Sequence, residues 1–429
     1  MNMLDENNVK KTILKNGIRV YEIDIKSSPF VTVCVGFNVG SRDETVHEHG
    51  IAHFLEHSMF SGTRKRLNNK VIGFEVENIG GEMNAATSEE MTVYYIKVPY
   101  ENFLKALEIL SDMLINSTFN EQFIEVEKGV VKEELKMYED NPMQSVSDVF
   151  NELIYKGSPL GKSIIGTLDS INSFSREKIL GFIMRNYLNE STVISIVGNL
   201  NGKDTIPEIE KYFNPNIDNK IDKQDYVRSG FNNIDNVNLK IKDVNQSHIV
   251  LGIQGLPISH KDIDILKLTS VIIGGGFGSK IFQKLRNDLG VAYYAASSIS
   301  AYRDTGDLYV RAGVDNSKFE RTIVEVINLL NQFHKGDFSS DDIHRAKEFV
   351  KGNLASEVET TQECAFKSIA SEFAFGRLKS VGEEKKEIDE IKKDDIVRVF
   401  DSIYTKVYLA AISPYDNINE ISNIIADVK

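Results

Sequence analysis

The chain has 429 residues, with 50 Lys and Arg against 63 Asp and Glu, which gives a formal net charge of −13. Nucleic acids and anionic membrane surfaces bind basic faces, so this balance argues against both kinds of partner. The length suggests two or three domains, and no stretch approaches the roughly 20 apolar residues that cross a bilayer. The only cysteines are Cys34 and Cys364, too few for a disulfide framework or a thiolate cluster. We therefore expect a soluble, cytoplasmic, globular protein.

Predicted strands and helices alternate along the chain. The β-branched run VTVCVGF at 31–37 predicts a buried strand, and TVISIV at 192–197 predicts another. Between them, apolar periodicity predicts helices at 101–115 and 175–187. The stretch from about 215 to 245 is rich in Asn, Asp and Lys, which indicates a linker followed by an edge strand.

The two halves of the chain resemble each other. REKILGFIMRNY followed by the strand TVISIVGNL is echoed by KDDIVRVFDSIY followed by VYLAAISP, and the helix from Phe103 is echoed by one from Phe319. Any two halves with mixed helices and strands share some likeness, but the matching order of elements favours duplication. We predict an α+β fold of two similar domains, each a mainly antiparallel sheet packed with helices. The predicted bounds are 1–213, a linker at 214–235, and 236–429.

A histidine-rich helix is predicted at 50–63, where the sequence reads GIAHFLEHSMFSGT. His53 and His57 are four residues apart, so both project from one face of the helix on successive turns. Two imidazoles in this arrangement can bind one zinc ion, and Glu56 can reach the same side, where a water molecule on the metal would lie. This H-x-x-E-H pattern is the inverse of H-E-x-x-H.

Two other interpretations of this pattern are a chance match and a pair of hydrogen-bonded core histidines. Two histidines and a glutamate on one apolar face are costly to bury without a cation, which favours the metal site. His47 and His49 precede the helix and are expected in a solvated loop or behind the ligands.

A catalytic zinc ion takes three protein ligands and a water molecule, so a third ligand is expected elsewhere. The helix predicted at 124–138 has an apolar stripe that contains Glu127 and Glu134, whereas Glu125 and Glu133 point away among lysines. Acidic groups on a buried face need a cationic partner. We predict Glu134 as the third ligand and Glu127 as the second candidate, with a supporting role. A slightly rotated helix would expose both.

The second half provides an internal control. Aligning Phe119 with Phe338 places Ala346 opposite Glu127 and Asn353 opposite Glu134. The second half also lacks an H-x-x-E-H motif. The sequence therefore predicts the same fold in both halves of the chain, but a metal site only in the first half.

The chain resembles the pitrilysin-type zinc peptidases, the family of insulin-degrading enzyme, the mitochondrial processing peptidase and small dimeric bacterial homologues. The resemblance covers nearly the whole chain. It rests on the histidine motif, on EKGVVKEEL around Glu134, on IGGEMNAATSEEMTVYY at 79–95 and on FQKLRNDLGVAYY at 282–294.

The resemblance implies roles for individual residues. Zinc, one ion per chain, would be held by His53, His57 and Glu134, with Glu56 as general base and Glu127 in support. The stretch 81–85 would be the edge strand to which substrate adds, and the positions concerned are Gly81, Glu82, Asn84 and Ala85. Arg286 and Tyr293 match an Arg/Tyr pair of the second domain that completes an active site across a chamber, in the same chain or in a partner.

The favoured hypothesis is a zinc endopeptidase that hydrolyses peptides or unfolded segments inside a homodimeric chamber. One alternative is a non-catalytic assembly or chaperone-like subunit of the same fold, although the whole ligand set is present. Another is the catalytic half of a heterodimeric processing peptidase. Processing and degradative enzymes would share these residues, so the sequence does not distinguish them.

Overall fold

The computed structural model describes residues 8–213 and 235–426, which divide into two compact units. Of the described residues, the first unit takes 8–136, 163–213 and 355–381, and the second takes 137–162, 235–354 and 382–426. Each unit therefore includes a segment from the other half of the chain. The predicted linker lies outside the described residues except for Asp235, and the domain bounds at 213 and 236 stay a prediction.

The described strands form two sheets, one in each unit. In chain order they are β1 (Val9–Ile13), β2 (Arg19–Asp24), β3 (Phe30–Phe37), β4 (Glu82–Thr87), β5 (Thr92–Pro99), β6 (Thr192–Gly198), β7 (Val237–Ile241), β8 (Gln246–Gln254), β9 (Ala292–Ala301), β10 (Gly306–Asp315) and β11 (Val407–Ser413).

The two sheets have the same topology. The first has the order β1-β2-β6-β3-β5-β4 and the second β7-β11-β8-β10-β9. In each sheet one neighbouring pair is parallel, β2 with β6 and β7 with β11, and the other pairs are antiparallel. Apart from the extra strand β1, the second sheet repeats the first strand for strand. The predicted α+β fold with two similar domains is thereby confirmed, and β7 is the edge strand predicted after the linker.

Helices of both units flank these sheets. They are α1 (Ile51–Ser58), α2 (Asn69–Asn78), α3 (Phe103–Asn116), α4 (Glu121–Glu139), α5 (Pro142–Ile154), α6 (Leu168–Asn172), α7 (Arg176–Asn186), α8 (Ile206–Tyr212), α9 (Ile263–Gly274), α10 (Lys280–Phe282), α11 (Phe319–His334), α12 (Ser340–Ser356), α13 (Thr361–Phe375), α14 (Val381–Glu390), α15 (Lys393–Ile403) and α16 (Ile418–Ala426). A π-helix, Gln283–Asp288, follows α10 directly. None of the helices in the described ranges has both the length and the apolar content that crossing a bilayer requires.

Two helices are exchanged between the halves of the chain. The first-half helix α5 packs on β7, β8 and β11 of the second unit, and the second-half helix α13 packs on β3 and β6 of the first. Inside the first unit, the buried Glu372 carboxylate of α13 accepts hydrogen bonds from Lys11 at 2.7 Å and from the Tyr21 hydroxyl at 2.6 Å. These bonds fix α13 on the sheet, because a buried carboxylate is stable only where it is paired.

The histidine helix is shorter than predicted, since α1 ends at Ser58 rather than at 63. The chain turns away at Gly62, whose φ is +140°, and a Cβ there would lie 2.8 Å from the carbonyl oxygen of Leu67. Only glycine tolerates this backbone and this close approach.

Candidate metal centre

The helix α1 is placed by contacts at its first turn. Gly50 before it has φ +88°, and a Cβ there would lie 2.5 Å from the Ile165 carbonyl oxygen. The Glu44 carboxylate accepts the backbone N–H groups of Gly50 at 2.8 Å and Ala52 at 2.9 Å. An anion that accepts hydrogen bonds from the free N–H groups at the N-terminus of a helix stabilises that helix. Sequence reasoning missed Glu44, which lies seven residues before the first residue of the helix.

The structure brings His53, His57 and Glu134 together, as the sequence predicted. One potential ligand atom from each lies within 4.8 Å of the others. His57 Nε2 is 3.4 Å from one Glu134 oxygen, and His53 Nε2 is 3.7 Å from the other. A tetrahedral zinc ion with bonds of roughly 2.0–2.1 Å separates neighbouring ligand atoms by about 3.4 Å. The spacing and the His₂Glu donor set therefore fit a zinc ion.

The helix α4 presents Glu134 in the predicted way. Ile124, Val131 and Leu135 are buried along its stripe, while the Glu134 side chain is 34% exposed and that of Glu133 is 74% exposed. Glu133 pairs with Lys136 at 2.7 Å on the outer face. The helix is not rotated toward solvent, and the choice of Glu134 over its neighbour follows from the geometry.

Glu127 lies behind the candidate ligands, about two helical turns before Glu134. Its carboxylate faces Nδ1 of His57 at 3.5 Å, and its side chain is 19% exposed. A carboxylate on the far nitrogen of an imidazole orients the ring and leaves Nε2 for the metal. Nδ1 of His53 is buried and has no hydrogen-bond partner among the described residues.

The electrostatic environment of the two imidazoles differs. Burial and the neighbouring His57 lower the pKa of His53 to about 4, so His53 is neutral at pH 7 and has a free lone pair. Burial acts to lower the pKa of His57, but its bond to Glu127 and the charges of Glu134 and Glu56 outweigh burial and raise it.

Glu56 lies on the ligand side of α1 and is held by a strand residue. The Thr87 hydroxyl donates a hydrogen bond of 2.5 Å to Glu56 Oε2. Burial raises the pKa of the Glu56 carboxyl, although the bond from Thr87 and the charge of His57 act in the opposite direction. A raised pKa makes the carboxylate a stronger base. Sequence reasoning missed Thr87, which lies three residues after Asn84 in the quoted stretch.

The predicted substrate strand is β4, which forms one end of its sheet and pairs on one side with β5. Asn84 is exposed, and its Oδ1 accepts the backbone N–H of Ala85 at 2.8 Å. Glu82 pairs with Lys97 at 3.1 Å. Gly81 precedes the strand, and a Cβ there would lie 2.7 Å from Val98. The other edge of β4 pairs with no strand of the described residues, so it is available for an added strand.

Arg286 and Tyr293 lie together in the second unit. Arg286 is exposed on the π-helix, and its Nη1 donates to the backbone oxygen of Tyr293 at 2.5 Å. Tyr293 is exposed, with 56% of the residue accessible to solvent. π-Helical turns are rare in proteins overall, but those that occur often lie at functional sites.

The sequence matches two family models. The model described as insulinase, peptidase family M16, matches residues 19–168, and the model described as the peptidase M16 inactive domain matches residues 173–350. The chain belongs to peptidase family M16. It is a metallopeptidase by this membership, and the predicted family is confirmed.

Curated relatives agree with this assignment, and a solved structure has a similar fold. The chain is 32% identical to "Uncharacterized zinc protease YmxG" of Bacillus subtilis, over 95% of this chain and 99% of that protein. It is 33% identical to an "Uncharacterized zinc protease" of Rickettsia bellii, over 97% of this chain and all of that protein. Its fold is similar to that of a protease from Helicobacter pylori, with a TM-score of 0.88 at 24% identity, covering 95% of this chain and 99% of that one.

Proposed function

We propose that this M16 peptidase is a zinc-dependent endopeptidase that hydrolyses peptides or unfolded protein segments, with one zinc ion per chain. The observation that carries the proposal is the convergence of His53, His57 and Glu134, whose potential ligand atoms lie within 4.8 Å of one another. Both relatives are named as zinc proteases, which supports the choice of zinc as the metal.

In the proposed reaction, the chain's own residues move the protons. When bound, zinc supplies a positive charge that acidifies water and polarises the scissile carbonyl group. Glu56 takes the proton from the attacking water and then gives it to the leaving amine. The hydrogen bond from Thr87 fixes one oxygen of this carboxylate, which leaves the other to accept the proton.

The proposed substrate binds in extended form along the free edge of β4. Main-chain hydrogen bonds to an edge strand accept many sequences, which suits a peptidase of broad substrate range. Asn84 would contact the substrate, in line with its exposed side chain. Arg286 and Tyr293 would complete the active site, with the Tyr293 hydroxyl donating to the developing oxyanion.

We further propose that the protein is a cytoplasmic homodimer. The chain carries both the metal-binding set and the Arg/Tyr pair, so two identical copies supply every residue that the proposed site needs. The non-catalytic alternative is not favoured, because relatives with that role would lack ligands that this chain retains. Size-exclusion chromatography with light scattering on the protein alone distinguishes a homodimer from one half of a heterodimer.

The test of the proposed function is Glu56→Gln in an assay with fluorogenic peptides. The amide keeps the shape of the side chain but accepts no proton, so we expect turnover to fall by about a thousandfold while zinc content stays unchanged. The matched control is Glu77→Gln, which neutralises an exposed carboxylate on α2 and should leave turnover unchanged. Wild-type turnover in Glu56→Gln would show that another group is the base. A wild-type protein that cleaves no peptide, with or without chelator, would contradict the endopeptidase proposal itself.

A further inference from the structure

Tyr293 lies in a β-bulge. The pairing of β9 with β10 passes from Tyr294 opposite Gly313 directly to Ala292 opposite Val314, so Tyr293 is skipped. Bulges redirect a side chain and are common next to active sites. The skipped backbone oxygen is the one that accepts Arg286. The bulge therefore determines the direction of the Tyr293 side chain.

Tyr294, the residue after the bulge, is held by contacts with residues of the neighbouring strands. Gly313 pairs with His248 on β8 and with Tyr294 on β9, which places the three residues in one row on the same face. The Tyr294 ring lies over the glycine, since a Cβ at Gly313 would be 2.2 Å from Tyr294 Cε1. Its hydroxyl is 3.0 Å from Nδ1 of His248, and the two rings are stacked with centroids 6.0 Å apart.

A third side chain completes this cluster. Arg311, two residues before Gly313 and on the same face, faces the Tyr294 hydroxyl. Its Nη2 donates to the backbone oxygen of Met143 at 2.5 Å, which fixes the guanidinium. His248 is 9% exposed, so the partner of the Tyr294 hydroxyl is itself held by packing. Together these contacts leave the Tyr294 ring little freedom.

We propose that Tyr294 is a positioning residue. Its ring, held by His248 over Gly313, fixes the conformation of the bulge and thereby the orientation of the Tyr293 side chain. The inference rests on the proposed function, in which Tyr293 contacts the substrate. A loose bulge would let the hydroxyl of Tyr293 swing by an ångström or more, and misplacement on that scale lowers rates strongly. Tyr294 is therefore proposed to affect the rate of the catalytic step rather than the stability of the fold.

The test combines Tyr294→Phe with Tyr293→Phe. Removal of the Tyr294 hydroxyl should lower kcat about tenfold with KM within about twofold, because an interaction made in the transition state is misaligned. In the Tyr293→Phe background the same change should lower kcat no further, since the group that it positions is gone. The control is Tyr404→Phe, which also removes one hydroxyl hydrogen bond, to Asn331 at 2.9 Å, and should leave kcat unchanged.

A readout that does not depend on activity is the fluorine NMR signal of Tyr293 in protein labelled with 3-fluorotyrosine. The signal is assigned by its loss in Tyr293→Phe. Tyr294→Phe should shift or broaden it, and Tyr404→Phe should not. An unchanged Tyr293 signal overturns the inference, as does wild-type kcat in Tyr294→Phe or a loss that adds fully to that of Tyr293→Phe. If the wild-type protein cleaves no peptide, the proposed function fails and the fluorine signal alone decides the positioning role.

Discussion

Glu56 is on the same short helix as both histidines, yet strand residues determine its environment. Thr87 at the end of β4 donates a hydrogen bond to one of its oxygens. Burial raises the pKa of this carboxyl above its ordinary value. The proposed base is therefore assembled by the sheet as much as by α1.

Replacement of Thr87 tests this assembly. Thr87→Val keeps the shape of the side chain and the strand preference but removes the donor to Glu56. We expect kcat to fall about tenfold, because the carboxylate loses its fixed orientation, while metal content and thermal stability stay near wild-type values. Steady-state kinetics, metal analysis and thermal unfolding measure these three quantities. The matched control is Thr45→Val, which lies outside β4, and an unchanged kcat in Thr87→Val would exclude the orienting role.

The sequence identified the candidate ligands, which the structure brings together, but not the residues that hold Glu56 and α1 in place. Helical period separates Glu134 from Glu133, because the apolar stripe of α4 determines which side chain is turned inward. Thr87 and Glu44 could not be found in this way. Their positions depend on how β4 and the segment before α1 approach the helix, and no local pattern specifies that approach.

A buried ionic cluster connects the segment after α1 to two neighbouring helices. Arg66 is fully buried, with Nη1 2.6 Å from Asp112 and Nη2 2.7 Å from Glu108, both on α3, and 2.9 Å from Glu75 on α2. The Thr63 hydroxyl also donates to Asp112 at 2.6 Å. A buried guanidinium needs such partners, so the cluster fixes the path of the chain directly after the histidine helix.

Because of this cluster, we expect the free energy of unfolding to depend on pH. Burial acts to raise the pKa of Glu108, but hydrogen bonds from Arg66, Lys105 and Lys65 outweigh it and lower the pKa to about 2. A depressed pKa stabilises the fold above the unfolded value near 4.5, and this contribution is lost as pH falls toward 2. Glu108→Gln should therefore lower the free energy of unfolding by about 2–3 kcal/mol at pH 6, and the deficit should shrink at pH 3.

Urea unfolding at the two pH values measures this difference. The control is Glu101→Gln, an exposed carboxylate just before α3, for which no change in the pH dependence is expected. If the deficit of Glu108→Gln is the same at pH 3 as at pH 6, the cluster does not contribute in the proposed way.

At the scale of elements, local pattern predicted most of what the structure contains. Strands β3 and β6 and helices α3, α4 and α7 lie where the runs and periodicities indicated. The exchange of α5 and α13 was not predicted. Apolar periodicity shows that a helix has a face to bury, but it does not specify which sheet the helix covers.

Within residues 8–213 and 235–426, one fold occurs twice and the candidate metal site once. The second sheet repeats the strand order of the first, and α12 occupies the place of α4 in that order. On α12 the positions of Glu127 and Glu134 are taken by the buried Ala346 and by Asn353. The second unit therefore has the fold without the candidate ligands, and Arg286 and Tyr293 lie in this unit.

The central claim is that His53, His57 and Glu134 hold one metal ion, and metal content tests it most directly. Zinc measured by mass spectrometry in purified protein, after dialysis against metal-free buffer, should equal about one ion per chain. Glu134→Gln should lose it, whereas Glu133→Gln, the exposed neighbour on the same helix, should retain it. Wild-type protein that binds no zinc, or equal zinc in the two variants, would contradict the account.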